Sequence, residues 1–166
     1  MFAVLVRMIK KGALNMRNLL VLTGIIVTIL FVMESKTVAA AEGEVVKIGN
    51  EQFKAQIMDY LKNPNEWKYA GKLPCIVDFY ADWCGPCRIA SPLLDELARK
   101  YKGKIIVYKV NTDQERELSQ AFSISGIPAF LWVPRSGKPT MTSGISKSPE
   151  ATKEQFEKMI NDLLIK

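Results

Sequence analysis

The stretch "DFYADWCGPCRIASP", residues 78–92, decides the fold of this chain. It places two cysteines, Cys84 and Cys87, three positions apart, between an apolar run and a segment whose apolar residues recur at helical spacing. Two intervening residues allow the first turn of a helix to bring both sulfurs into bonding range. The sequence therefore predicts a pair of neighbouring thiols where a strand gives way to a helix.

Thiol–disulfide exchange needs such a pair, because one thiolate attacks a disulfide and a second thiol resolves the mixed disulfide. Backbone N–H groups and the dipole at a helix N-terminus stabilise a thiolate, which assigns the attack to Cys84. Cys87 lies one turn further on, where we expect it to be more buried, and is the predicted resolving cysteine. Pro86 fixes φ early in the helix without removing a needed donor. Gly85 has no side chain to obstruct an incoming disulfide.

Two structural uses of the cysteines are less well supported. Structural zinc takes four ligands, and the chain has no histidine and only Cys75 as a further cysteine. A disulfide that closes so short a loop stabilises a fold little. We therefore predict no metal site and no dissociable cofactor. Cys75, on a predicted core strand, is expected to be a buried, inert small side chain, with a regulatory or partner-linking role as the alternative.

Composition limits the classes of function. The 166 residues suffice for one domain. The net charge is +6, of which +4 lies in residues 1–41 and +2 in residues 42–166. A domain so nearly balanced in charge gives no electrostatic reason to expect a nucleic acid partner.

The front of the chain has the order of a secretory signal. Basic residues precede an almost uninterrupted apolar run at 19–33, and small residues follow at 38–43. The run is shorter than the roughly 20 residues that a spanning helix needs. We therefore predict a signal peptide over residues 1–41 and a mature domain over 42–166, with an uncleaved signal anchor as the alternative. Basic residues ahead of the run favour a domain outside the cytoplasm in both cases.

The rest of the chain alternates strand and helix patterns in the order βαβαβαββα. Asn50 is the predicted N-cap of the first helix, and Pro64 is expected to end it. This order predicts an α/β fold with parallel strand pairs, a terminal antiparallel hairpin and helices on both faces of the sheet. The predicted strands cover 44–49, 73–81, 104–111, 129–134 and 140–145, and the helices 50–63, 87–103, 113–122 and 148–164.

These motifs together resemble the thioredoxin family over about residues 44–166. The resemblance is carried by "WCGPC" at 83–87 after a strand with Asp78, by "ISGIP" at 124–128, by a strand pair with a glycine turn, and by a closing helix. It implies a thioredoxin fold, with a central mixed β-sheet flanked by helices, and a protein-disulfide oxidoreductase. There are three departures: the segment 62–74 is longer, Tyr80 stands where the common form has tryptophan, and Cys75 is extra.

Asp78 is the most informative residue outside the dithiol motif. Burial among strand side chains raises the pKa of a carboxyl, and strand alternation places Asp78 on one face with Ile76 and Tyr80. The resemblance implies that it serves Cys87 as a general acid or base; a carboxylate at a frayed strand end is the alternative. The resemblance favours Lys109 on the next strand as its charge partner, with an exposed strand lysine as the alternative.

The resemblance also implies residues that shape the substrate site. It implies a cis bond between Ile127 and Pro128 that faces the dithiol and offers a backbone edge to a substrate strand; an ordinary turn proline is the alternative. Trp83 is expected to flank the site. Gly126 and Gly144 match positions where a partner backbone approaches, although either glycine also suits a turn.

The resulting functional hypothesis is an exported reductant of disulfides in client proteins, expected to be monomeric and periplasmic in a Gram-negative bacterium. The dipeptide between the cysteines resembles that of reducing members of the family. A reductant in that compartment requires an upstream membrane electron donor. The alternatives are an oxidant or isomerase of the same fold, a reductant for cytochrome c maturation, and a non-enzymatic module that binds peptides on the face of Pro128.

Overall fold

The computed structural model describes residues 43–166. The predicted signal peptide at 1–41, and the predicted start of the mature chain at residue 42, lie outside the described residues. Within 43–166, none of the helices combines the length and the apolar character needed to cross a membrane.

Strands and helices follow one another along the described residues in the predicted order. The last helix continues into a π-helical segment, Ile160–Leu164. The strands are β1 Val45–Lys47, β2 Cys75–Tyr80, β3 Ile106–Asn111, β4 Ala129–Val133 and β5 Thr140–Ser143. The helices are α1 Asn50–Gln56, α2 Gly85–Lys100, α3 Arg116–Ala121 and α4 Pro149–Met159.

The strands form one mixed sheet in the order β1-β3-β2-β4-β5. β3 pairs in parallel with β1 and β2, whereas β4 is antiparallel to both β2 and β5. The predicted parallel pairs and terminal antiparallel hairpin are therefore confirmed. Every residue of β2 is buried. In this register Asp78 lies opposite Lys109 on β3 and Phe130 on β4.

Helices cover both faces of the sheet, as predicted. Alternate side chains of each strand point to opposite faces, so β2 contributes to two separate layers of core. Full burial of one large apolar side chain contributes about 1.5–3 kcal/mol, and both layers contain several. On one face, α1 and α3 contribute Phe53 and Leu118, which pack with Cys75, Val77 and Phe79. On the other face, α2 and α4 contribute Leu94, Leu97 and Phe156, which pack with Ile76, Phe130 and Trp132.

The first helix differs from the sequence prediction at both ends. Its N-cap is Gly49, whose N–H donates to Oε1 of Gln52 at 3.0 Å. Asn50 is already helical, and its side-chain Oδ1 accepts a hydrogen bond of 2.7 Å from the Tyr60 hydroxyl. The prediction of an Asn50 cap was wrong because the asparagine side chain binds a tertiary partner.

The predicted helix over 50–63 was also too long, since α1 ends at Gln56. The carbonyl of Ile57 accepts a hydrogen bond of 2.8 Å from the N–H of Ala70, so the chain folds back on itself. The returning segment packs its aromatic rings against Phe122, with centroid distances of 5.9 Å from Tyr60 and 6.4 Å from Trp67. These tertiary contacts outweigh the helical spacing of apolar residues.

Candidate active site

The two cysteines of the dithiol motif lie at the start of α2, as predicted. Cys84 is the N-cap residue, and its Sγ accepts a hydrogen bond of 3.2 Å from the N–H of Cys87. Pro86 falls within the first helical turn, where its missing N–H leaves no hydrogen bond unmade. Cys84 and Cys87 are joined by a disulfide in this structure. Cys84 is therefore the sulfur that the positive end of the helix dipole acts on.

The expected contrast in burial between the two cysteines is not found. Cys84 is 3% exposed and Cys87 is 2% exposed. Both sulfurs lie in a small apolar cluster with Tyr80, and Ile127 packs against this cluster. What distinguishes the two sulfurs in this structure is their position along the helix, with one at its cap and the other inside its first turn.

The rim of the disulfide is apolar and open. Trp83 is 69% exposed, and its Nε1 donates to Oδ2 of Asp113 at 2.9 Å, which fixes the ring beside the motif. Ile89, which was not predicted as a site residue, is also exposed. A side chain added at Gly85 would come near only the guanidinium of Arg88, at 3.8 Å. The space beside Gly85, next to the disulfide, is therefore free for an approaching chain.

The bond between Ile127 and Pro128 is cis, as the resemblance implied. The carbonyl of Pro128 accepts a hydrogen bond of 2.8 Å from the N–H of Gly144, so the structure brings Gly144 next to it. Gly144 has a φ of +77°, a conformation that favours glycine. Gly126 and Gly144 both face open space, since an added Cβ would meet no atom within 4 Å.

Asp78 is fully buried on β2. Burial raises the pKa of its carboxyl to about 6, and the positive charge of Lys109 opposes this rise only in part. The Nζ of Lys109 lies 3.5 Å from Oδ2 of Asp78, which makes an ion pair of the two predicted partners. Neither carboxylate oxygen accepts a hydrogen bond from any residue in the range 43–166. The carboxyl is therefore poised to gain or lose a proton near neutral pH.

Lys109 has two contacts besides Asp78. Its ammonium lies 4.3 Å from the ring centroid of Tyr80, within the range of a cation–π interaction. It also donates a hydrogen bond to the hydroxyl of Ser91 on α2. Ser91 was not predicted as a site residue, although its position four residues after Cys87 places both on one face of the helix. A cleft of about 190 Å³, lined in part by Tyr80, Lys109 and Asn111, opens beside the lysine.

The thioredoxin family model matches residues 44–162. The chain belongs to the thioredoxin family. Thioredoxin of Borreliella burgdorferi is 38% identical over 117 residues, which cover 70% of this chain and 95% of that protein. Thioredoxin 1 of Chlorobaculum tepidum is 43% identical over 77 residues, which cover 46% of this chain and 70% of that protein.

Solved structures agree with this family. The crystal structure of chloroplastic thioredoxin z, described as defining a type-specific target recognition, superposes with a TM-score of 0.56 at 26% identity. The match covers 71% of this chain and 96% of that one. Thioredoxin homologues are thiol–disulfide oxidoreductases, and this thioredoxin-family protein is an enzyme of the same class.

The third cysteine lies apart from this chemistry. Cys75 is a free, fully buried thiol on the opposite face of β2 from Asp78. Burial raises the pKa of the Cys75 thiol to about 12, and a hydrogen bond with Tyr69 lowers it only in part. This environment agrees with the expected inert side chain. Among residues 43–166, no group of three or more acidic or cysteine side chains is arranged to hold a metal ion.

Proposed function

We propose that this thioredoxin-family protein reduces disulfides of client proteins outside the cytoplasm, with Cys84 as the nucleophile and Cys87 as the resolving cysteine. The observation that carries the proposal is the position of Cys84 at the cap of α2, where its Sγ accepts the N–H of Cys87 at 3.2 Å. A thiolate in that position gains from the same hydrogen bond and from the helix dipole.

The reaction transfers two electrons in two exchange steps. In the reduced protein, the Cys84 thiolate attacks one sulfur of a client disulfide, and the other client sulfur leaves as a thiolate. The Cys87 thiolate then attacks Sγ of Cys84, which releases the second client sulfur and forms the Cys84–Cys87 disulfide. The client is reduced to two thiols and the protein is oxidised.

Asp78 supplies the proton transfer in this proposal. Cys87 must lose a proton before it attacks, and a carboxyl with a pKa of about 6 is ionised often enough at neutral pH to accept it. Tyr80 lies between Asp78 and the dithiol, because it shares the face of β2 that carries Asp78 and packs against both cysteines. The exposed rim around Trp83 and Ile89, with the backbone edge at Ile127–Pro128, is the proposed docking surface for the client.

Trapping variants test the roles of the cysteines. The variants are made in a Cys75→Ala background, so that no other thiol interferes. In Cys87→Ser, Cys84 can attack a client disulfide, but no second thiol can resolve the mixed disulfide that forms. We expect client proteins to accumulate as mixed disulfides with Cys87→Ser and none with Cys84→Ser. Both variants should lose catalysis of insulin reduction with dithiothreitol as the electron donor, whereas the Cys75→Ala parent should keep it. Trapping by Cys84→Ser instead would reverse the assigned roles, and retained turnover in both would favour a peptide-binding module.

The redox potential against glutathione tests the direction of the reaction. Reducing thioredoxins have potentials near −270 mV, whereas strong periplasmic oxidants lie near −120 mV. We expect a value close to the first of these figures for residues 42–166. A value close to the second would make the protein an oxidant with the same site.

We propose export from the order of residues 1–41, and a periplasmic location in a Gram-negative cell. A membrane electron donor must then reduce the Cys84–Cys87 disulfide after each cycle, and the enzyme is proposed to act as a monomer. N-terminal sequencing of protein from the envelope fraction should give a mature chain that begins near residue 42. An intact front segment on membrane-bound protein would establish the anchored alternative.

A further inference from the structure

The ion pair behind the dithiol has an unusual geometry. Nζ of Lys109 lies 3.5 Å from Oδ2 of Asp78, and neither oxygen of this buried carboxylate accepts a hydrogen bond from the described part of the chain. A charge-assisted hydrogen bond between ammonium and carboxylate has a length of about 2.7–2.9 Å. The ammonium is therefore close to the carboxylate without forming the strongest contact available to it.

The reason lies in the other partners of the ammonium. Lys109 donates to the hydroxyl of Ser91, which α2 projects from the turn after Cys87, and it lies over the ring of Tyr80 at 4.3 Å. An ammonium has three donors on a flexible stem, so its position is a compromise among the groups that bind it. The Ser91 contact joins the lysine to the helix that carries the dithiol.

We propose that Ser91 is a positioning residue, which holds the ammonium of Lys109 off the carboxylate of Asp78 and so limits how far the lysine stabilises the ionised carboxylate. This inference deepens the proposed function, because it rests on Asp78 as the proton acceptor for Cys87. A fully hydrogen-bonded ammonium would stabilise the ionised form of Asp78 and weaken it as a base.

Other ionisable groups around Asp78 do not account for this arrangement. The residue opposite Asp78 on β4 is Phe130, which carries no charge. The cysteines of α2 form a disulfide in this structure and do not titrate in that state. Lys109 is the charged side chain that lowers the pKa of Asp78. The other ionisable side chains that line the cleft beside Lys109 are Tyr80, Lys47 and Glu115.

The test is the titration of Asp78 itself in the oxidised protein, followed by the carbon-13 resonance of its side-chain carboxyl. Oxidation removes the cysteine titrations, so this resonance reports Asp78 directly. In Ser91→Ala the ammonium loses one acceptor, and the nearest carboxylate is that of Asp78. We expect the pKa of Asp78 to fall by about one pH unit or more, the usual effect of a closer opposite charge.

Three further variants make the result specific. Ser91→Thr keeps the hydroxyl and should keep the wild-type titration of Asp78. Ser119→Ala, the matched change on α3, removes a hydroxyl that donates to the carbonyl of Glu115, and should also leave it unchanged. In a Lys109→Met background, Ser91→Ala should no longer shift the titration. Alanine is a better helix former than serine, so loss of folding is not expected, and a urea melt would verify this.

The outcomes separate this inference from the proposed function. An unchanged or higher pKa of Asp78 in Ser91→Ala would overturn the role of Ser91, as would an equal fall in the Lys109→Met background. If the pKa falls, the acid limb of the pH–rate profile for insulin reduction should move down with it. A lower pKa with an unmoved profile would support the positioning role of Ser91 and contradict the proton-transfer role of Asp78.

Discussion

Two buried groups that ionise by losing a proton lie three residues apart on β2, and the residues around them differ. Cys75 and Asp78 are both fully buried, on opposite faces of the sheet. Burial raises both pKa values, to about 12 for the thiol and about 6 for the carboxyl. Desolvation acts in the same direction on both groups because each is charged only after it loses its proton.

The difference lies in what surrounds each group. Cys75 packs in an apolar layer, where burial keeps its thiol neutral at physiological pH. Asp78 faces Lys109, which lines a cleft, and it shares its face of the sheet with Tyr80, which packs in one cluster with the disulfide. A buried titratable group becomes chemically useful when its pKa falls near the working pH and a proton can reach it.

The largest effect is expected at Asp78. Replacing it with asparagine keeps the shape and removes the proton exchange, so we expect insulin reduction to slow by about 10- to 100-fold. This is at or below the lower end of the usual range for losing a general acid or base, because water in the cleft beside Lys109 can take over part of the transfer. Asp95→Asn, on the exposed side of α2, is the matched control and should keep the wild-type rate.

The same Asp78→Asn variant should change how stability depends on pH. A carboxyl whose pKa is higher in the folded state holds its proton more tightly there. Asp78 therefore costs no stability below its ordinary pKa of 3.8; the cost grows between 3.8 and about 6 and is complete above that. The difference between these two pKa values corresponds to about 3 kcal/mol.

Urea melts of both proteins at pH 3.5 and pH 7 measure this cost. The free energy of unfolding of Asp78→Asn, relative to wild type, should rise by about 3 kcal/mol between the two pH values. The comparison across pH removes the constant cost of burying an amide. A relative stability that does not change with pH would show that burial leaves the pKa of Asp78 at its ordinary value. An unchanged rate would make Asp78 a bystander, and the proton would then come from water or Lys109.

Local signals in the sequence were enough to predict the sheet and the dithiol. The apolar run over β2 and the cysteine spacing at 84–87 depend on near neighbours in the chain, and both were located correctly. The pairing of Asp78 with Lys109 came from the family resemblance, and the parallel register of β2 and β3 brings the two residues opposite each other. Periodicity is reliable where the contacts that fix an element come from its own face.

The parts that were missed depend on distant contacts. The end of α1 is set by Ala70, thirteen residues beyond Ile57, and by rings that pack on Phe122. Ser91 stands among helical residues with no local sign of function, and only the approach of β3 gives it a partner. The predicted difference in burial between Cys87 and Cys84 is absent because Tyr80 and Ile127 pack against both sulfurs.

The smallest effect is expected at Cys75. Replacing it with alanine removes one sulfur from a packed layer, so the free energy of unfolding should fall by about 1 kcal/mol, typical of a single core truncation. Cys75→Val, which restores apolar volume with a side chain suited to a strand, should lose less than the alanine variant. Insulin reduction should stay within about twofold of wild type in both, because no step of the exchange involves the opposite face of β2. If both variants lost insulin reduction with little loss of stability, Cys75 would have a role in partner contact or regulation. It would then no longer be the inert counterpart of Asp78.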